Sequence, residues 1–520
     1  MVNRDLEYYQ ELVKEYNCDL NLLLQLCNEY NIDPMIPIKY IQTIKSEGNY
    51  YQNLQCGTGK TIGLAIAAKV VPDLSFNYVA STHSRLREFV DTLLRLQVNH
   101  YYLTASRSVI NDYSVVQASR IIILTSSMLL QFDYSKIEYF IRGSKYNYRP
   151  LIIDELPKII LQVLYDLKSW NLFTKNLPKS YNYSKCSSVS DLFSNEDLYV
   201  TFDEALNSVS KGNSEYLKKA FYSKLHILKR LSEKNYPQPK DYSDNLDEFE
   251  YNVAYLSIFD VYLSKAKTTI ILDATSDLYY EVLSSKPMFH HVTRDYSSFI
   301  EDCYYMHLNY GFKQRDNIIN NLIKYIKSFL PELFKLEGPY YLATHNSSVY
   351  DGMGEEKVVQ DDIMNQFKQI FKQVYTNDNK DFILCRSSDN EIKLDDFGRV
   401  LAEDTDLFIS NYGRSRGSNY FRDCRTVWLL GSFFLPDNEL RQMLNDTSIN
   451  LDYKRLQTNL AIADGVQEIS RGCIRKRKID EKMNIIMMGD IKVLKGIIDY
   501  MGINNAIKMN RSEERRVGKE

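Results

Sequence analysis

Eight consecutive residues, Leu54-Gln55-Cys56-Gly57-Thr58-Gly59-Lys60-Thr61, run directly into an apolar helical stretch from Ile62 to Val70. Phosphate is what such a segment suits. Glycines let backbone N–H groups turn inward, a helix N-terminus favours an anion, a lysine reaches the β- and γ-phosphates, and a threonine hydroxyl can ligate Mg²⁺. Gly57, Thr58, Gly59, Lys60 and Thr61 are therefore read as the ATP-binding set, with Thr61 also a metal ligand. The full G-x-x-x-x-G-K-[ST] pattern has Gly where Leu54 stands; the A-x-x-G-x-G-K-T form fits better, with Leu54 in place of Ala. Ile62 occupies the position of the third Gly of G-x-G-x-x-G, which disfavours a dinucleotide site.

A phosphate loop needs a carboxylate partner on a neighbouring strand. Leu151-Ile152-Ile153-Asp154-Glu155 supplies one 94 residues after Lys60. Three buried-strand residues carry Asp154 to a strand's C-terminal end, where ligands bind in open α/β sheets. Asp154 is then the Mg²⁺ ligand and Glu155 the general base that polarises the attacking water.

These residues resemble the superfamily 2 DExx-box (DEAD/DEAH-like) helicases and translocases, and the resemblance spans Leu54 to Arg475. Val79-Ala80-Ser81-Thr82-His83 resembles motif Ia, and Leu124-Thr125-Ser126-Ser127 resembles motif Ic. Leu272-Asp273-Ala274-Thr275 is similar to the S/D-A-T motif III, Leu342-Ala343-Thr344-His345 to motif IV, and Asn411 to Asn419 (NYGRSRGSN) to motif V. The resemblance implies that Thr82, His83, Thr125, Ser126, Thr344, Arg416, Gly417, Ser418 and Asn419 contact nucleic acid. It also implies that Asp273, Ala274 and Thr275 couple the nucleotide site to strand movement.

Gln467-Glu468-Ile469-Ser470-Arg471-Gly472-Cys473-Ile474-Arg475 resembles motif VI, Q-x-x-G-R-x-x-R. Ser470 replaces its Gly, and the arginines stand four apart rather than three. Positions i and i+4 share a helix face, so Gln467, Arg471 and Arg475 are all candidates to approach the γ-phosphate. Which arginine is the finger stays open. The competing reading of Arg471 to Lys478 is a solvated basic face or a nucleic-acid patch.

The elements that must position these residues alternate in two series. Short apolar runs at Tyr78 to Ala80, Ile121 to Leu124 and Leu151 to Ile153 alternate with helical text such as Arg85 to Leu96, the cadence of βα units around a parallel sheet. A second series runs through Tyr340 to Ala343, Phe382 to Cys385, Leu407 to Ser410, Thr426 to Leu430 and Asn484 to Met488. The fold class expected is α/β, two RecA-like parallel-sheet domains in tandem, at 46–285 and 286–510. A helical N-terminal cap is expected over 1–45, with Pro34 and Pro37 breaking its pattern. A helical insert is expected at about 158–267, including Asp247 to Ala266.

Composition bounds the rest. The chain has 520 residues, and 64 Lys+Arg against 67 Asp+Glu leave a net charge of -3, so any polyanion site must be local. Eight Cys without a C-x-x-C pair exclude a zinc ribbon and read as reduced cytoplasmic thiols. Iron–sulfur helicases also carry an insert between motifs II and III, but the four clustered Cys that their cluster needs are missing here. No export signal or membrane span is expected. Residues 511–520, RSEERRVGKE, translate in frame from AGATCGGAAGAGCGTCGTGTAGGGAAAGAG, which resembles a sequencing-adapter end. That tail is set aside as a scar, with the natural chain expected to be cut near Asn510.

The function expected is that of a cytoplasmic ATP- and Mg²⁺-dependent helicase or single-strand translocase. Its track is single-stranded DNA, with RNA as the other candidate, and replication or repair proteins dock on the insert. Two alternatives stand beside it: a duplex DNA translocase that does not separate strands, and a non-motor nucleotide-binding switch.

Overall fold

The computed structural model describes residues 15–80, 83–102, 118–125, 149–154, 160–165, 252–257, 266–278, 286–289, 296–307, 338–344, 348–350, 356–358, 384–386, 407–411, 421–432, 434, 440–441, 444, 452–476 and 480–509. The chain forms two compact units. The first comprises Met1–Tyr50, Thr61–Ile271 and Pro436–Leu451, and the second Tyr51–Lys60, Leu272–Leu435 and Asp452–Glu520.

Two helices open the described chain, α1 (Leu20–Glu29) and α2 (Met35–Lys45). The Asp19 carboxylate accepts the Leu22 N–H and caps α1. Pro34 and Pro37 start a helix rather than break one. Pro34 is the N-cap of α2 and Pro37 lies in its first turn, where the missing N–H has no intrahelical partner to lose.

The first sheet holds β1 (Gly48–Tyr51), β2 (Phe76–Ala80), β3 (His100–Tyr102), β4 (Ile121–Thr125), β5 (Leu151–Asp154), β8 (Thr268–Leu272) and β9 (Lys286–Pro287). Its order is β3-β4-β2-β5-β8-β1-β9. β2, β4, β5 and β8 are buried along their whole length. This is why Tyr78 to Ala80, Ile121 to Leu124, Leu151 to Ile153 and Ile270 to Leu272 read as short unbroken runs without charge, the mark of strands covered on both faces. Helix α3 (Lys60–Val70) follows β1, and α4 (His83–Arg95) follows β2. A Cβ at Gly63 would lie 2.7 Å from Ile36 Cγ2, so glycine lets α3 rest directly on α2.

Within the expected insert, β6 (Ile160–Tyr165) and β7 (Asn252–Ser257) form an antiparallel ribbon. This corrects the helical expectation over 252–257. Val253, Tyr255 and Leu256 favour a paired strand once Leu164, Gln162 and Leu161 lie opposite, and a short apolar window does not distinguish the two periods alone. The remainder of the insert, residues 1–14 of the expected cap and the 511–520 tail lie outside the described residues.

The second sheet runs β14-β15-β11-β16-β17-β10-β18. Its strands are β10 (Ile300–His307), β11 (Tyr340–Thr344), β14 (Leu384–Arg386), β15 (Leu407–Asn411), β16 (Thr426–Leu430), β17 (Met483–Gly489) and β18 (Ala506–Lys508), and a separate hairpin pairs β12 (Ser348–Tyr350) with β13 (Glu356–Val358). Every pairing described in this sheet is parallel. Helices α5 (Tyr453–Ile469) and α6 (Ile491–Met501) pack on it through a core that includes Ile462, Val466, Ile469, Leu494 and Ile497. Each such side chain contributes about 1.5–3 kcal/mol by leaving water. The two helices approach closely because Ile497 sits over Gly465 and Ile462 over Gly496, where a Cβ would meet the isoleucine Cδ1 at 2.4 and 2.2 Å.

Candidate functional site

The phosphate loop leaves β1 at Tyr51 and enters α3 at Lys60. Gly57 and Gly59 both adopt φ +78, a conformation that side chains disfavour. Three hydrogen bonds pin the approach. The Leu54 N–H donates to Gln52 Oε1 at 3.0 Å, the Thr58 hydroxyl to the Gln55 carbonyl at 2.9 Å, and the Cys56 N–H to the Tyr296 hydroxyl at 3.1 Å. Lys60 and Thr61 open the helix, so their positions coincide with the positive end of its dipole. Positive-φ glycines ahead of a helix N-terminus, followed by an ammonium and a hydroxyl, fit a magnesium-bound triphosphate.

The expected metal carboxylate lies at the C-terminal end of β5. Ala80 pairs in register with both Thr125 and Asp154, so the ends of β2, β4 and β5 line one edge of the sheet. Asp154 is 3% exposed, and Oδ2 accepts the Tyr78 hydroxyl. Tyr40 is wholly buried, and its phenol pKa is raised well above the ordinary value, first by burial and then by the Asp154 charge. At the same edge His83 is exposed, and its Nδ1 lies 2.6 Å from the Tyr102 hydroxyl. Thr125 is buried. In the second sheet Thr344 pairs in register with Asn411, which sets motif IV beside the first residue of motif V.

The turn after β8 brings two separate groups of expected residues together. Asp273 Oδ1 accepts the Thr275 N–H and hydroxyl, both at 2.9 Å. Gln467, on α5, donates its amide to Asp273 Oδ1 at 3.0 Å, Oδ2 at 3.3 Å and the Thr275 hydroxyl at 2.9 Å. The Ser276 hydroxyl reaches the Gln52 carbonyl at 2.9 Å, Asn459 donates to the Leu278 carbonyl at 2.9 Å, and the Tyr500 hydroxyl lies 3.0 Å from the Ala274 carbonyl and against the Asp277 carboxylate. Gln467 is therefore engaged with motif III in this structure.

The two arginines do not share a helix face. Helix α5 ends at Ile469 with Ser470 as its C-cap, and Arg475 lies in the 3₁₀ turn Cys473–Lys476. The i, i+4 geometry fails because the chain must turn inward here. The Cys473 N–H donates to the Cys424 carbonyl at 2.9 Å, and Gly472 sits so tightly that a Cβ would meet Met483 Sδ at 2.5 Å. Arg471 is 3% exposed, with Nε 3.5 Å from Glu468 Oε2. Glu468 is 1% exposed and also accepts the Tyr341 hydroxyl at 2.5 Å. Arg475 is half-buried, and its neighbour Lys476 is tied to Asp423 at 2.6 Å and Glu481 at 2.9 Å.

Thr82, Ser126, Glu155, Arg416, Gly417, Ser418 and Asn419 lie outside the described residues. The sequence reading missed Tyr78, Tyr341, Glu468, Ser276 and Tyr500. One signal was available: Glu468 follows Ala461 by seven and Gly465 by three, a charge among buried small residues on one helix face. Among the described residues no group of three or more His, Cys, Asp or Glu forms a metal site, and no helix is long and apolar enough to cross a membrane. Cys27, Cys303, Cys424 and Cys473 are buried free thiols, and of the eight Cys only Cys186 falls within 158–267. This distribution does not fit an iron–sulfur cluster.

No family model matches this chain, and no curated protein does. Solved structures do. An apo XPD structure matches at TM-score 0.53 with 14% identity, covering 91% of this chain and 99% of its own. Xpd4 of S. tokodaii matches at TM-score 0.50 with 12% identity, covering 90% and 98%. An XPD helicase matches at TM-score 0.49 with 12% identity, covering 91% and 98%. The chain thus shares the fold of the first two of these structures, built on two RecA-like parallel-sheet domains.

Proposed function

We propose that this protein is an ATP-dependent helicase or single-strand translocase, with RecA-like domains at 46–285 and 286–510. In this reading Gly57 to Lys60 wrap the triphosphate, Thr61 and Asp154 hold its Mg²⁺, and Glu155 takes the proton of the attacking water. The metal ion would supply charge neutralisation on the phosphate oxygens. Arg475 is the preferred finger, because Arg471 is committed to Glu468. An arginine in that role can supply about 10³ to 10⁵ in rate. His83, Thr125, Thr344 and Arg416 to Asn419 would grip a nucleic-acid backbone largely without reading sequence, and the grip would weaken with salt. The reduced thiols suit a cytoplasmic setting.

The observation that carries this reading is the turn from Asp273 to Leu278. It is bonded to the exit of β1 through Ser276 and Gln52, and to α5 through Gln467. The segment that would bind nucleotide and the helix that leads into motif VI thus share one hydrogen-bonded turn. A motor needs that linkage, and a simple nucleotide switch leaves it without a use. The polymer on which the motor runs is proposed to be single-stranded DNA.

The test is ATP turnover with single-stranded DNA, duplex DNA, RNA or nothing added. Single strands are expected to raise turnover about tenfold or more (about 1.4 kcal/mol), and Lys60→Ala and Glu155→Gln to abolish it. Turnover indifferent to every polymer removes the motor reading and leaves a nucleotide binder. Triplex displacement without strand displacement selects the duplex translocase instead.

A further inference from the structure

Two tyrosines are wholly buried in the first unit near the expected metal carboxylate, and the mechanism above uses neither. Tyr78 is 0% exposed on β2, and its hydroxyl donates to Asp154 Oδ2. Tyr40 is 0% exposed on α2, and its hydroxyl has no hydrogen-bond partner among the described residues.

The sheet explains why Tyr78 reaches Asp154. Register partners in a parallel pair point to the same face, and so do residues two apart on one strand. Ala80 is the partner of Asp154, and Tyr78 stands two before Ala80, so Tyr78 and Asp154 form a diagonal pair on one face. Such pairs are about 7–8 Å apart at the backbone, within reach of an aromatic side chain. The ring is clamped from its other side. It stacks on Phe89 of α4 with centroids 4.0 Å apart and planes at 29°. A fully buried phenol with its ring stacked and its hydroxyl bonded has little rotamer freedom, and it passes that restriction to the carboxylate.

We propose that Tyr78 is the positioning residue of Asp154: its phenol holds the carboxylate in the orientation that receives the hydrated magnesium ion of bound ATP. The proposal rests on the ATPase reading and extends it to a residue outside the motif series. It concerns orientation, because a phenol donor fixes one carboxylate oxygen without cancelling the negative charge that a cation needs. Partners of this kind typically change metal affinity about 10- to 100-fold when removed.

Tyr40 supplies the internal control. It is as deeply buried, and its ring carbon Cε2 lies 3.7 Å from where a Cβ on Gly63 of α3 would stand. Tyr40→Phe removes a buried hydroxyl that is not hydrogen-bonded to Asp154, and it spares the Tyr78 hydrogen bond.

The test measures binding of a fluorescent ATP analogue to the full chain as Mg²⁺ is titrated, and again in excess EDTA. Tyr78→Phe is expected to raise the Mg²⁺ concentration at half-saturation about 10- to 100-fold, with EDTA binding unchanged. Tyr40→Phe is expected to leave the midpoint within about twofold (about 0.4 kcal/mol). Phe89→Leu, which loosens the ring and keeps its hydroxyl, is expected to shift the midpoint in the same direction as Tyr78→Phe, and serves if that variant does not fold. The proposal is overturned if Tyr78→Phe and Phe89→Leu both leave the midpoint in place. Equal shifts in Tyr78→Phe and Tyr40→Phe, or an equal loss of binding in EDTA, also overturn it. Wild-type binding that ignores Mg²⁺ overturns the ATPase reading as well. That result is distinct from an intact Mg²⁺ dependence that Tyr78→Phe does not move.

Discussion

Each unit buries a carboxylate beneath a tyrosine hydroxyl, and in the second a buried guanidinium stands beside it. In the first, Tyr78 on β2 donates to Asp154. In the second, Tyr341 on β11 donates to Glu468, which also faces the Arg471 guanidinium at 3.5 Å. A phenol donor orients a carboxylate without neutralising it. A phenol together with a buried guanidinium satisfies the carboxylate from within the protein and ties α5 to the sheet beneath it. Under the proposed function, the comparison teaches that burial and a tyrosine hydrogen bond by themselves do not mark a metal-binding acid.

The largest expected effect separates the two arginines. Arg475→Ala should lower polymer-stimulated ATP turnover about 10³-fold. Arg471→Ala should instead cost about 3–5 kcal/mol of stability, because it strands Glu468 as an uncompensated buried charge. Steady-state turnover beside thermal unfolding reads both. If Arg471→Ala lost turnover at unchanged stability, Glu468 and Arg471 would be no structural pair and the comparison would break.

A second contrast exchanges carboxylate for amide in each place. Asp154→Asn should abolish Mg²⁺-dependent turnover while leaving denaturant stability within about 1 kcal/mol, the scale of one ordinary hydrogen bond. Glu468→Gln should do the reverse, lowering stability by about 1.5–3 kcal/mol, the worth of hydrogen bonds to a charged group. Equal stability losses in the two variants would show that Asp154 is structural too.

The smallest effect concerns two thiols whose burial is the dominant influence on their charge. Burial pushes the Cys303 thiol up to about 12 and the Cys473 thiol up to about 11, from an ordinary 9.0, with Asp302 and Glu481 respectively adding to the shift. Both thiols stay protonated in the fold at a pH where the unfolded chain releases them. Their contribution to stability is present below pH 9 and is lost as pH rises toward 11–12. Thermal unfolding between pH 8 and 11 should show a falling midpoint, and Cys473→Ala should flatten the decline. A flat wild-type profile across that range would contradict it.

Much of the fold was legible in the text because covered parallel strands leave a plain signature. Ile121 to Leu124, Leu151 to Ile153 and Val427 to Leu430 are apolar throughout, and each lies in a strand buried along its whole length. β10 was not legible. Its burial alternates irregularly, and Glu301 and Asp302 interrupt it. The strand over 252–257 was misread because six residues cannot show a period, and its identity depends on Ile160 to Tyr165 lying opposite.

What the sequence determined by itself is the local chemistry: glycines at Gly57 and Gly59 where the backbone takes positive φ, Lys60 opening a helix, and Asp154 closing a strand. These are short-range properties, set by backbone sterics and by the order of residues along a few turns. Tertiary structure alone decided which partner each charge would have. Tyr78 meets Asp154 across 76 residues, Tyr341 meets Glu468 across 127, and Gln467 meets Asp273 across 194. Hydrogen bonds and ion pairs act over a few ångströms of space, and separation along the chain carries no record of that distance until strand register and helix packing have fixed it.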